Sequence, residues 1–321
     1  MSAKIIVLTP VKNEEWILEQ FLSVTSQFAD LIIVADQGST DDSRSICSKF
    51  SKVHLISNES ESYDEAGRQQ LLIETARQLV DGQRIFLALD ADELLAADSL
   101  NSPGWQAMLV AEPGTVLVFE KPNLYMSSEM CLRYPVDFPG GYVDDGYEHS
   151  PKKVHSIRIP TPKHAPRLSL PDVKFLHYAL LRPQAQAAKM RMYSVVENIL
   201  GTKTLFERRR YYDSKANYEL AGKLEQTNRE WFAEWEKRGI DVRTIKDQGV
   251  YWQDHETAKH LREHGARKFW FDDIWTVDWN ALSHGSEHQT ISPPPPIVRH
   301  TTDLTFRLLF LAAALKRKMI G

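Results

Sequence analysis

Four short apolar runs alternate with helical patterns in the first third of the chain. The runs are Lys4–Leu8, Leu31–Ala35, Val53–Ser57 and Ile85–Leu89. The first, second and fourth runs are continuously apolar from Ile5, Leu31 and Ile85 rather than alternating, which is typical of strands buried on both faces of a sheet. Strands that alternate with helices indicate parallel pairing through right-handed crossovers. The pattern therefore predicts an α/β domain with a mostly parallel sheet.

Local signals mark where these elements begin and end. Pro10 predicts the end of the first strand, because proline cannot continue a central ladder. Asn13 is predicted to cap the first helix, and Ser39 with Asp42 has the spacing of a capping box for the second. The third helix is predicted over about 63–80.

Two acids spaced one residue apart, Asp90 and Asp92, follow the fourth apolar run. Ligands of open α/β sheets bind at the carboxyl ends of the strands. Strand geometry predicts that both side chains point to the same side, where two carboxylates repel each other unless a cation lies between them. A hard divalent ion such as Mg2+ or Mn2+ fits that requirement. The alternative is that the acids simply end a strand at a solvated turn.

Asp36 and Gln37 form a second polar pair, at the carboxyl end of the second run. Helix capping accounts for the polar residues after this pair, but not for the pair itself. Arg68, near the start of the third helix, suits contact with a phosphate, and a solvated arginine fits its position equally well. The first turn lacks the Gly-x-Gly-x-x-Gly of dinucleotide folds, and the chain has no Gly-Lys-Ser/Thr phosphate loop.

Composition narrows the class of protein. The 321 residues are 42% hydrophobic and 26% charged, which is typical of a globular protein. A net charge of −4 gives no basic field that would attract nucleic acid. The two cysteines, Cys47 and Cys131, are too few for a disulfide framework. The amino terminus has no signal-peptide pattern, and no stretch reaches the ~18 apolar residues that cross a bilayer. These features predict a cytoplasmic protein.

Three segments in order carry a family resemblance: Thr9–Glu15, Val34–Asp41 and Leu89–Glu93. Together they resemble the family 2 glycosyltransferases of the GT-A fold, and the resemblance extends to about Glu197. It implies a GT-A (nucleotide-diphospho-sugar transferase, Rossmann-like) domain with a helical carboxyl-terminal extension.

The resemblance also implies roles for the residues at the strand ends. The nucleotide-sugar donor would be held by Thr9, Pro10, Lys12, Asp36, Gln37 and Asp90, with Asp90 facing the ribose. Asp92 would bind the metal. Gln37 departs from the two adjacent acids that are usual in the family, but its amide can still donate to and accept from the edge of a base.

His177 lies in a further short strand, predicted over Val173–Leu180. A single histidine within such an apolar run is commonly a core residue. The resemblance implies instead a metal or diphosphate contact, because many GT-A enzymes place a histidine of a late strand there. The segment Leu176-His177-Tyr178, followed by Lys189 and Tyr193, is similar to members that build lipopolysaccharide or other surface glycans.

An inverting transfer also needs a carboxylate that accepts the proton of the acceptor hydroxyl. The segment Arg133–His155 is rich in Gly, Asp, Tyr and Pro, and it is predicted to be a long polar loop of the kind that carries function. Its acids Asp144, Asp145 and Glu148 are the candidate bases. A retaining transfer needs no such base, and both mechanisms stay open.

The predicted organisation has three parts. They are a GT-A nucleotide-sugar-binding and catalytic domain over 1–182, a Trp-rich helical extension over 183–291, and a Pro-rich spacer with an apolar and basic helix over 292–321. Residues 303–319 of that helix suit peripheral contact with the inner face of a membrane. Docking onto the protein itself or onto a second subunit explains the same residues.

These features predict a metal-dependent glycosyltransferase with Mn2+ or Mg2+ as cofactor. It would move a sugar from a nucleotide-diphosphate sugar to a hydroxyl of a glycan or glycolipid acceptor, in surface polysaccharide or glycolipid biosynthesis. An aspartyl phosphotransferase is disfavoured, because its acidic motif follows the first strand of the fold and here three strands come first. The alternative is a non-catalytic nucleotide-sugar-binding or scaffold protein of the same fold.

Overall fold

The structure is a computed structural model that describes residues 3–58, 65–150, 157–212, 222–247, 249, 251–282 and 290–320. These residues form two compact units. The first comprises the described residues of 1–181 and 219–248, and the second comprises those of 182–218 and 249–321. The first unit is built on a β-sheet, and the second is helical.

The strands of the first unit form one sheet. In chain order they are β1 (Lys4–Val11), β2 (Leu31–Asp36), β3 (Val53–Ser57), β4 (Arg84–Ala88), β5 (Glu93–Leu95), β6 (Val116–Glu120), β7 (Asn123–Tyr125), β8 (Ser127–Arg133), β9 (Phe138–Asp144), β10 (Arg167–His177) and β11 (Lys223–Gln226). Across the sheet the order is β11-β8-β7-β10-β6-β9-β4-β1-β2-β3, and β5 pairs with β10.

Helices occur in both units. In chain order they are α1 (Leu18–Thr25), α2 (Ser43–Cys47), α3 (Glu65–Leu79), α4 (Pro103–Leu109), α5 (Pro183–Leu200), α6 (Leu205–Tyr211), α7 (Glu230–Lys237), α8 (Trp252–His264) and α9 (Pro296–Ile320). The second unit contains α5, α6, α8 and α9. Across the described residues, no helix is both long enough and apolar enough to cross a bilayer.

The strands β4-β1-β2-β3 are parallel, as the apolar runs predict, and β10 also pairs in parallel with β6 and β7. Val7 of β1 lies opposite Leu87 of β4 and Ile32 of β2, and β2 is parallel to β3. The predicted α/β class is confirmed, and antiparallel strands beyond β4 make the sheet mixed. Because parallel strands end at the same edge, the segments that follow β1, β2 and β4 lie together. We call this edge the carboxyl edge.

Both faces of β1 are buried. Val7 belongs with Phe21 of α1 to the core on one face, and Leu8 belongs with Ile73 of α3 to the core on the other face. Burial of each such side chain contributes roughly 1.5–3 kcal/mol. Burial on both sides explains why the run is continuously apolar.

Pro10 lies inside β1, so the predicted end of this strand is wrong. Pairing of β1 with β4 stops at Leu8 opposite Ala88. Pairing with β2 continues to Val11 opposite Asp36. Pro10 therefore lies where β1 has a neighbouring strand on one side, and proline is tolerated there.

Neither of the predicted helix caps forms. The helix α1 begins at Leu18, whereas Asn13 lies in the preceding loop with a left-handed φ of 56°. Asp42 is the N-cap of α2, but its side chain makes no capping hydrogen bond, and Ser39 does not complete a capping box. Both predictions are wrong because Asn13 and Ser39 bond to each other's loops instead.

The strand β9 occupies 138–144 of the loop that is predicted over 133–155, and residues 151–155 of that loop lie outside the described residues. The strand β9 lies antiparallel between β4 and β6. A Cβ atom at Gly141 would lie 3.0 Å from the side chains of both Leu117 and Leu87, which belong to those two neighbours. Glycine is needed here because the strands approach closely, and it does not mark a loop.

Residues 222–247 belong to the first unit, although the sequence places them in the helical extension. The strand β11 pairs with β8, and Trp231 and Trp235 of α7 are buried in the core of the first unit. Trp235 Nε1 donates to the Leu95 carbonyl at 2.8 Å. Residues 222–247 of the predicted Trp-rich extension are therefore part of the first unit.

The second unit has a core and buried ion pairs of its own. Its core consists of Val195, Ala258, Leu261, Phe269, Ile274, Trp275, Trp279 and Ile291. Arg191 Nη2 donates to Asp254 Oδ2 at 2.7 Å, and Arg208 Nε donates to Asp272 Oδ1 at 2.7 Å. These arginines are structural residues of the helical unit.

Asp144, the last residue of β9, is a buried carboxylate with two arginine partners. Arg77 Nη2 donates to its Oδ1 at 2.7 Å, and Arg84 Nε donates to its Oδ2 at 2.8 Å. Burial by itself raises the pKa of the Asp144 carboxyl, but the hydrogen bonds from Arg77 and Arg84 outweigh it and the pKa is lowered.

We expect Asp144→Asn to lower the free energy of unfolding by about 3 kcal/mol, because it removes the charge partner of two partly buried guanidinium groups. The difference from the wild type should be largest above pH ~4, the ordinary pKa of aspartate. It should shrink as the pH falls through the lowered pKa of the folded state. Urea unfolding at several pH values measures both effects.

The control for this measurement is Asp137→Asn, at a side chain that is 76% exposed. This substitution should change the free energy of unfolding by less than about 0.5 kcal/mol. A loss in Asp144→Asn that is no larger than in the control would contradict the buried ion pairs.

Candidate functional site

Hydrogen bonds join the loop after β1 to the loop after β2. The Asn13 amide donates to Ser39 Oγ at 2.9 Å, and the Thr40 amide donates to Asn13 Oδ1 at 2.7 Å. The Glu15 amide donates to Asp41 Oδ2 at 3.0 Å. We call these two loops the loop pair. The sequence predicts helix caps at Asn13 and Ser39, but these residues instead take part in one layer of hydrogen bonds at the carboxyl edge.

Asp36 is the last residue of β2, and it is buried. Its Oδ2 accepts a hydrogen bond from Arg44 Nη1 at 2.7 Å, and its Oδ1 accepts one from the Ser39 amide at 3.3 Å. The Arg44 side chain is 51% exposed. A surface guanidinium therefore covers the buried acid. No periodic pattern in the sequence marks Arg44 as its partner.

Strand pairing brings together the predicted donor-binding residues of β1 and β2. Pro10 is paired with β2, and the backbone N–H of Gln37 donates to the Val11 carbonyl at 2.8 Å. Lys12 and Gln37 are partly exposed. Thr9 is buried, and its hydroxyl has no hydrogen-bond partner in the part of the chain that the structure describes. Thr9 is thus less accessible to a ligand than Lys12 and Gln37.

Arg68 lies near the start of α3, a helix that packs against β1 and β2. Its Nε atom is buried and makes no hydrogen bond within the described ranges. Residues 59–64, which precede this helix, lie outside the described residues. The role of Arg68 as a phosphate contact stays a prediction.

Asp90 opens a turn that connects β4 to β5. The Glu93 amide donates to the Asp90 carbonyl at 3.0 Å, and the Asp90 amide donates to Glu93 Oε2 at 3.0 Å. Glu93 is completely buried. A buried carboxylate without partners is strongly destabilising, so its surroundings must neutralise it.

Two cations neutralise Glu93. Arg158 Nη1 donates to its Oε2 at 2.7 Å, and Lys121 Nζ donates to its Oε1 at 3.0 Å. Burial by itself raises the pKa of the Glu93 carboxyl, but the charges of Arg158 and Lys121 outweigh it and hold the pKa well below its usual range.

Arg158 also links Glu93 to the Asp-x-Asp turn. Its Nη2 donates to Asp90 Oδ2. Burial tends to lower the pKa of Arg158, but the carboxylates of Asp90 and Glu93 outweigh this effect and the pKa is raised. The guanidinium therefore stays charged while it bridges the partly exposed Asp90 and the buried Glu93.

Asp92 faces His177, the last residue of β10. Asn123 Nδ2 donates to the Lys121 carbonyl at 3.2 Å, which directs Asn123 Oδ1 to His177 Nδ1 at 2.6 Å. An amide oxygen only accepts, so Nδ1 carries the hydrogen and Nε2 carries the lone pair of the neutral ring. That Nε2 lies 3.5 Å from Asp92 Oδ2. A proton or a metal ion between these two acceptors would turn their approach into an attraction.

The predicted base Asp144 lies at the opposite edge of the sheet. It is paired with Arg84, the first residue of β4, whereas Asp90 comes after the last residue of that strand. Both of its oxygens accept hydrogen bonds from arginines. The prediction for Asp144 is wrong because its segment forms a strand of the sheet and not a loop at the acceptor.

Asp145 and Glu148 follow directly at that same opposite edge. Asp145 Oδ1 accepts from the Tyr142 hydroxyl at 2.6 Å and from the Tyr147 amide at 2.9 Å. Burial of Tyr142, together with its hydrogen bond to Asp145, raises the pKa of this phenol. Glu148 is exposed, immediately after Tyr147. Asp145 therefore lies away from Asp90 and Asp92, and the role of Glu148 as the base stays a prediction.

Several residues of this site are not predicted from the sequence. They are Arg44, Glu93, Lys121, Asn123 and Arg158. Glu93 could have been predicted, because it is a third acid directly after the Asp-x-Asp. The other residues reach the carboxyl edge only through contacts that form on folding.

The first unit is a Rossmann-like α/β domain that carries Asp90, Asp92 and His177 at its carboxyl edge. The sequence model described as Glycosyl transferase family 2 matches residues 6–102. This match includes the loop pair together with Asp90 and Asp92. Residues 6–102 are therefore similar in sequence to the family 2 glycosyltransferases, as the resemblance implies.

Similar solved structures include glucosyl-3-phosphoglycerate synthase from Mycobacterium tuberculosis in complex with Mn2+, UDP and glucosyl-3-phosphoglycerate. It is 24% identical over 38% of this chain and 44% of its own, with a TM-score of 0.28. Another is 4-diphosphocytidyl-2C-methyl-D-erythritol synthase, 21% identical over 37% of this chain and 60% of its own, with a TM-score of 0.29. The match spans less than two thirds of the length of either protein. No curated protein matched the sequence.

We expect Glu93 and Arg158 to be energetically coupled by about 1–3 kcal/mol, because removing either one leaves the other as a poorly compensated charge. A double-mutant cycle of Glu93→Gln and Arg158→Gln, measured by urea unfolding, gives the coupling energy. The control cycle uses Glu234→Gln and Lys237→Gln, an exposed pair 3.6 Å apart. Its coupling should stay below about 0.5 kcal/mol, and an equally small value for the first cycle would contradict the role of Glu93.

Proposed function

We propose that this protein transfers a sugar from a nucleotide-diphosphate sugar to the hydroxyl of an acceptor. The observation that carries the proposal is the approach of Asp92 to His177, beside Asp90, in a domain that matches glycosyl transferase family 2. These residues lie at the carboxyl edge, where open α/β sheets bind their ligands.

Mn2+ or Mg2+ is the proposed cofactor, held by Asp92 and His177. The fit rests on Asp92 Oδ2 and His177 Nε2, two acceptors 3.5 Å apart, and on Asn123, which fixes the ring in the tautomer that presents Nε2. The carboxylate suits both ions, whereas the imidazole favours the softer Mn2+. A bound ion would neutralise negative charge on the departing nucleoside diphosphate.

Side chains of the carboxyl edge would hold the rest of the donor. Asp36 and Gln37 present an acceptor and an amide to the edge of a base, and Asp90 presents a carboxylate to ribose hydroxyls. Arg44 and Arg158 are hydrogen-bonded to Asp36 and Asp90. Each guanidinium would share its carboxylate with the donor or move onto phosphate oxygens, which arginine binds well. Thr9, Pro10, Lys12 and Arg68 complete the proposed donor site.

We expect one class of nucleotide sugar to raise the melting temperature in the presence of Mn2+, and Asp92→Ala to abolish the shift. A ligand that binds only the native state stabilises it by about 2.7 kcal/mol at one hundred times its dissociation constant. Thermal unfolding with UDP-, GDP-, CMP- and dTDP-linked sugars, with and without Mn2+, measures the shift. The donor that produces it is then tested with glycan and glycolipid acceptors for release of the nucleotide.

The matched control is Asp81→Ala, at an exposed position before β4, which should keep the full shift. The absence of a shift with every nucleotide sugar would contradict the donor site. A metal-dependent shift without nucleotide release would support the alternative, a non-catalytic nucleotide-sugar-binding protein.

The proposed acceptor class, a glycan or glycolipid of the cell surface, draws support from α9. One face of α9 is packed within the second unit. Phe306 and Phe310 lie 6.4 and 5.5 Å from Phe206 of α6, measured between ring centroids. Arg209 Nη2 donates to Asp303 Oδ1 at 2.7 Å. These contacts fix which side of α9 faces away from its own unit.

The outward side of α9 carries exposed leucines. Leu304, Leu308 and Leu311 are 50%, 59% and 61% exposed, and Ile297 is 69% exposed. At 3.6 residues per turn these four positions lie along one side, turned away from the phenylalanines. The result is an apolar stripe without a described partner.

Charge indicates what this stripe contacts. The sequence of α9 contains Arg299, Arg307, Lys316, Arg317 and Lys318, against the single acid Asp303. A second copy of α9 would bring like charges together in either direction, whereas an anionic membrane complements them. We therefore propose that α9 lies on the inner face of a membrane, where a glycolipid acceptor would be embedded.

We expect Leu304→Ser combined with Leu308→Ser to weaken binding to phosphatidylglycerol-containing vesicles by at least about tenfold, because each leucine loses roughly 1.5–3 kcal/mol of apolar burial. Vesicle co-sedimentation measures the binding. Leu79→Ser combined with Leu224→Ser, at positions 47% and 44% exposed in the first unit, is the control. If the intact chain does not bind these vesicles, the membrane contact is wrong.

A further inference from the structure

We propose that the last turn of α8 binds a divalent transition-metal ion of the Zn2+ class through His260, Glu263 and His264. The three residues belong to the second unit. The proposal does not rest on the glycosyltransferase function, because it uses none of the residues of the carboxyl edge.

The three side chains project from the same side of α8. Residues at positions i, i+3 and i+4 are neighbours on a helix. One ligand atom from each residue lies within 4.8 Å of the other two. His260 Nδ1 lies 3.4 Å from Glu263 Oε2, and the rings of His260 and His264 are 6.0 Å apart between centroids.

Small side-chain rotations would close this cluster around an ion. Bonds of ~2.0–2.1 Å place the ligand atoms of a tetrahedral zinc site roughly 3.3 Å apart, so each group moves by about 1 Å. Glu263 is 46% exposed, and His264 is also exposed. Both side chains can therefore rotate without disturbing the core.

Carboxylates flank both nitrogens of the His260 ring. His260 Nδ1 is buried and makes no hydrogen bond to any described group. On the other side of the ring, Glu256 Oε1 lies 3.6 Å from Nε2. An ion bound at Nδ1 would leave the hydrogen on Nε2, where Glu256 can accept it, as in metal sites where an outer carboxylate orients the ligating histidine. In that bound tautomer the lone pair of Nδ1 is directed to the side of Glu263.

The set of donor atoms selects the class of ion. Two imidazoles with one carboxylate suit Zn2+, Ni2+ or Cu2+ better than Mg2+. Three protein ligands leave at least one coordination position for water. The pair of Asp92 and His177 has a single imidazole, so the two proposed metal sites differ in their ligand chemistry.

A metal at this position would cross-link the end of a helix. His264 is the last residue of α8, and Gly265 follows with a φ of 80°. An ion that joins His260 to His264 holds the final turn in its helical conformation, and it stabilises the native state by mass action.

Ordinary ion pairs are the competing explanation for this cluster. A protonated His260 would attract Glu256 and Glu263 at helical spacing, which contributes only about 0.3–0.5 kcal/mol for each pair. Such pairs predict no specific metal affinity. Metal titration therefore separates the two explanations.

The experiment uses the full chain after removal of metal with EDTA. Zn2+ is titrated by calorimetry, and Co2+ is titrated by its visible absorption, which reports the ligand set. We expect one saturable Zn2+ site in the wild type that is retained in Asp92→Ala. His264→Ala and Glu263→Gln, at exposed positions, should each weaken Zn2+ binding by at least about tenfold. Circular dichroism verifies that the variants are folded.

The matched control is His255→Ala, at another histidine of α8 outside the cluster, which should keep the wild-type Zn2+ affinity. The proposal is overturned if the wild type binds no Zn2+, or if His264→Ala and Glu263→Gln bind it as tightly as the control does. It is also overturned if Asp92→Ala alone removes the site, because the ion would then belong to the carboxyl edge. A failure of the nucleotide-sugar panel leaves all these outcomes unchanged.

Discussion

The buried carboxylate of Glu93 is the constraint on which the candidate site depends. A charge in this position is tolerated only with close cations, and Arg158 and Lys121 supply them. Because they neutralise Glu93, Arg158 and Lys121 are also held in fixed positions relative to their other contacts. The guanidinium secures the Asp-x-Asp turn, and the Lys121 carbonyl orients Asn123, which in turn sets the tautomer of His177. The core thus determines the chemistry that is offered at the carboxyl edge.

The parallel part of the sheet could be predicted because burial on both faces leaves a direct trace, a continuous apolar run. The strand β9 has no continuous apolar run in its sequence. It requires glycine where three strands approach closely, and it ends in an aspartate that two arginines neutralise, so that its composition is that of a loop. The position of α7 was also missed, because it depends on the hydrogen bonds of β11 and on Trp235 reaching a distant carbonyl.

The acids of the site were predictable for a different reason. Asp36, Asp90 and Asp92 follow strands directly, so their place in the chain alone assigns them to the carboxyl edge. The arginines that neutralise these acids have no position in the sequence that assigns them to the carboxyl edge. Arg158 lies 68 residues beyond Asp90, and only the folded chain brings the two together. Side chains paired over this separation leave no periodic signal in a single sequence.

The loop pair bears on how a ligand would gain affinity at this edge. Ordering the backbone of one residue costs about 1–2 kcal/mol of conformational entropy. Hydrogen bonds among Asn13, Ser39 and Thr40 impose that order during folding, before any ligand arrives. Association at the loop pair would therefore proceed on a preorganised surface, and more of the interaction energy would be retained as affinity. Discrimination between ligands there becomes a matter of fixed shape rather than of induced fit.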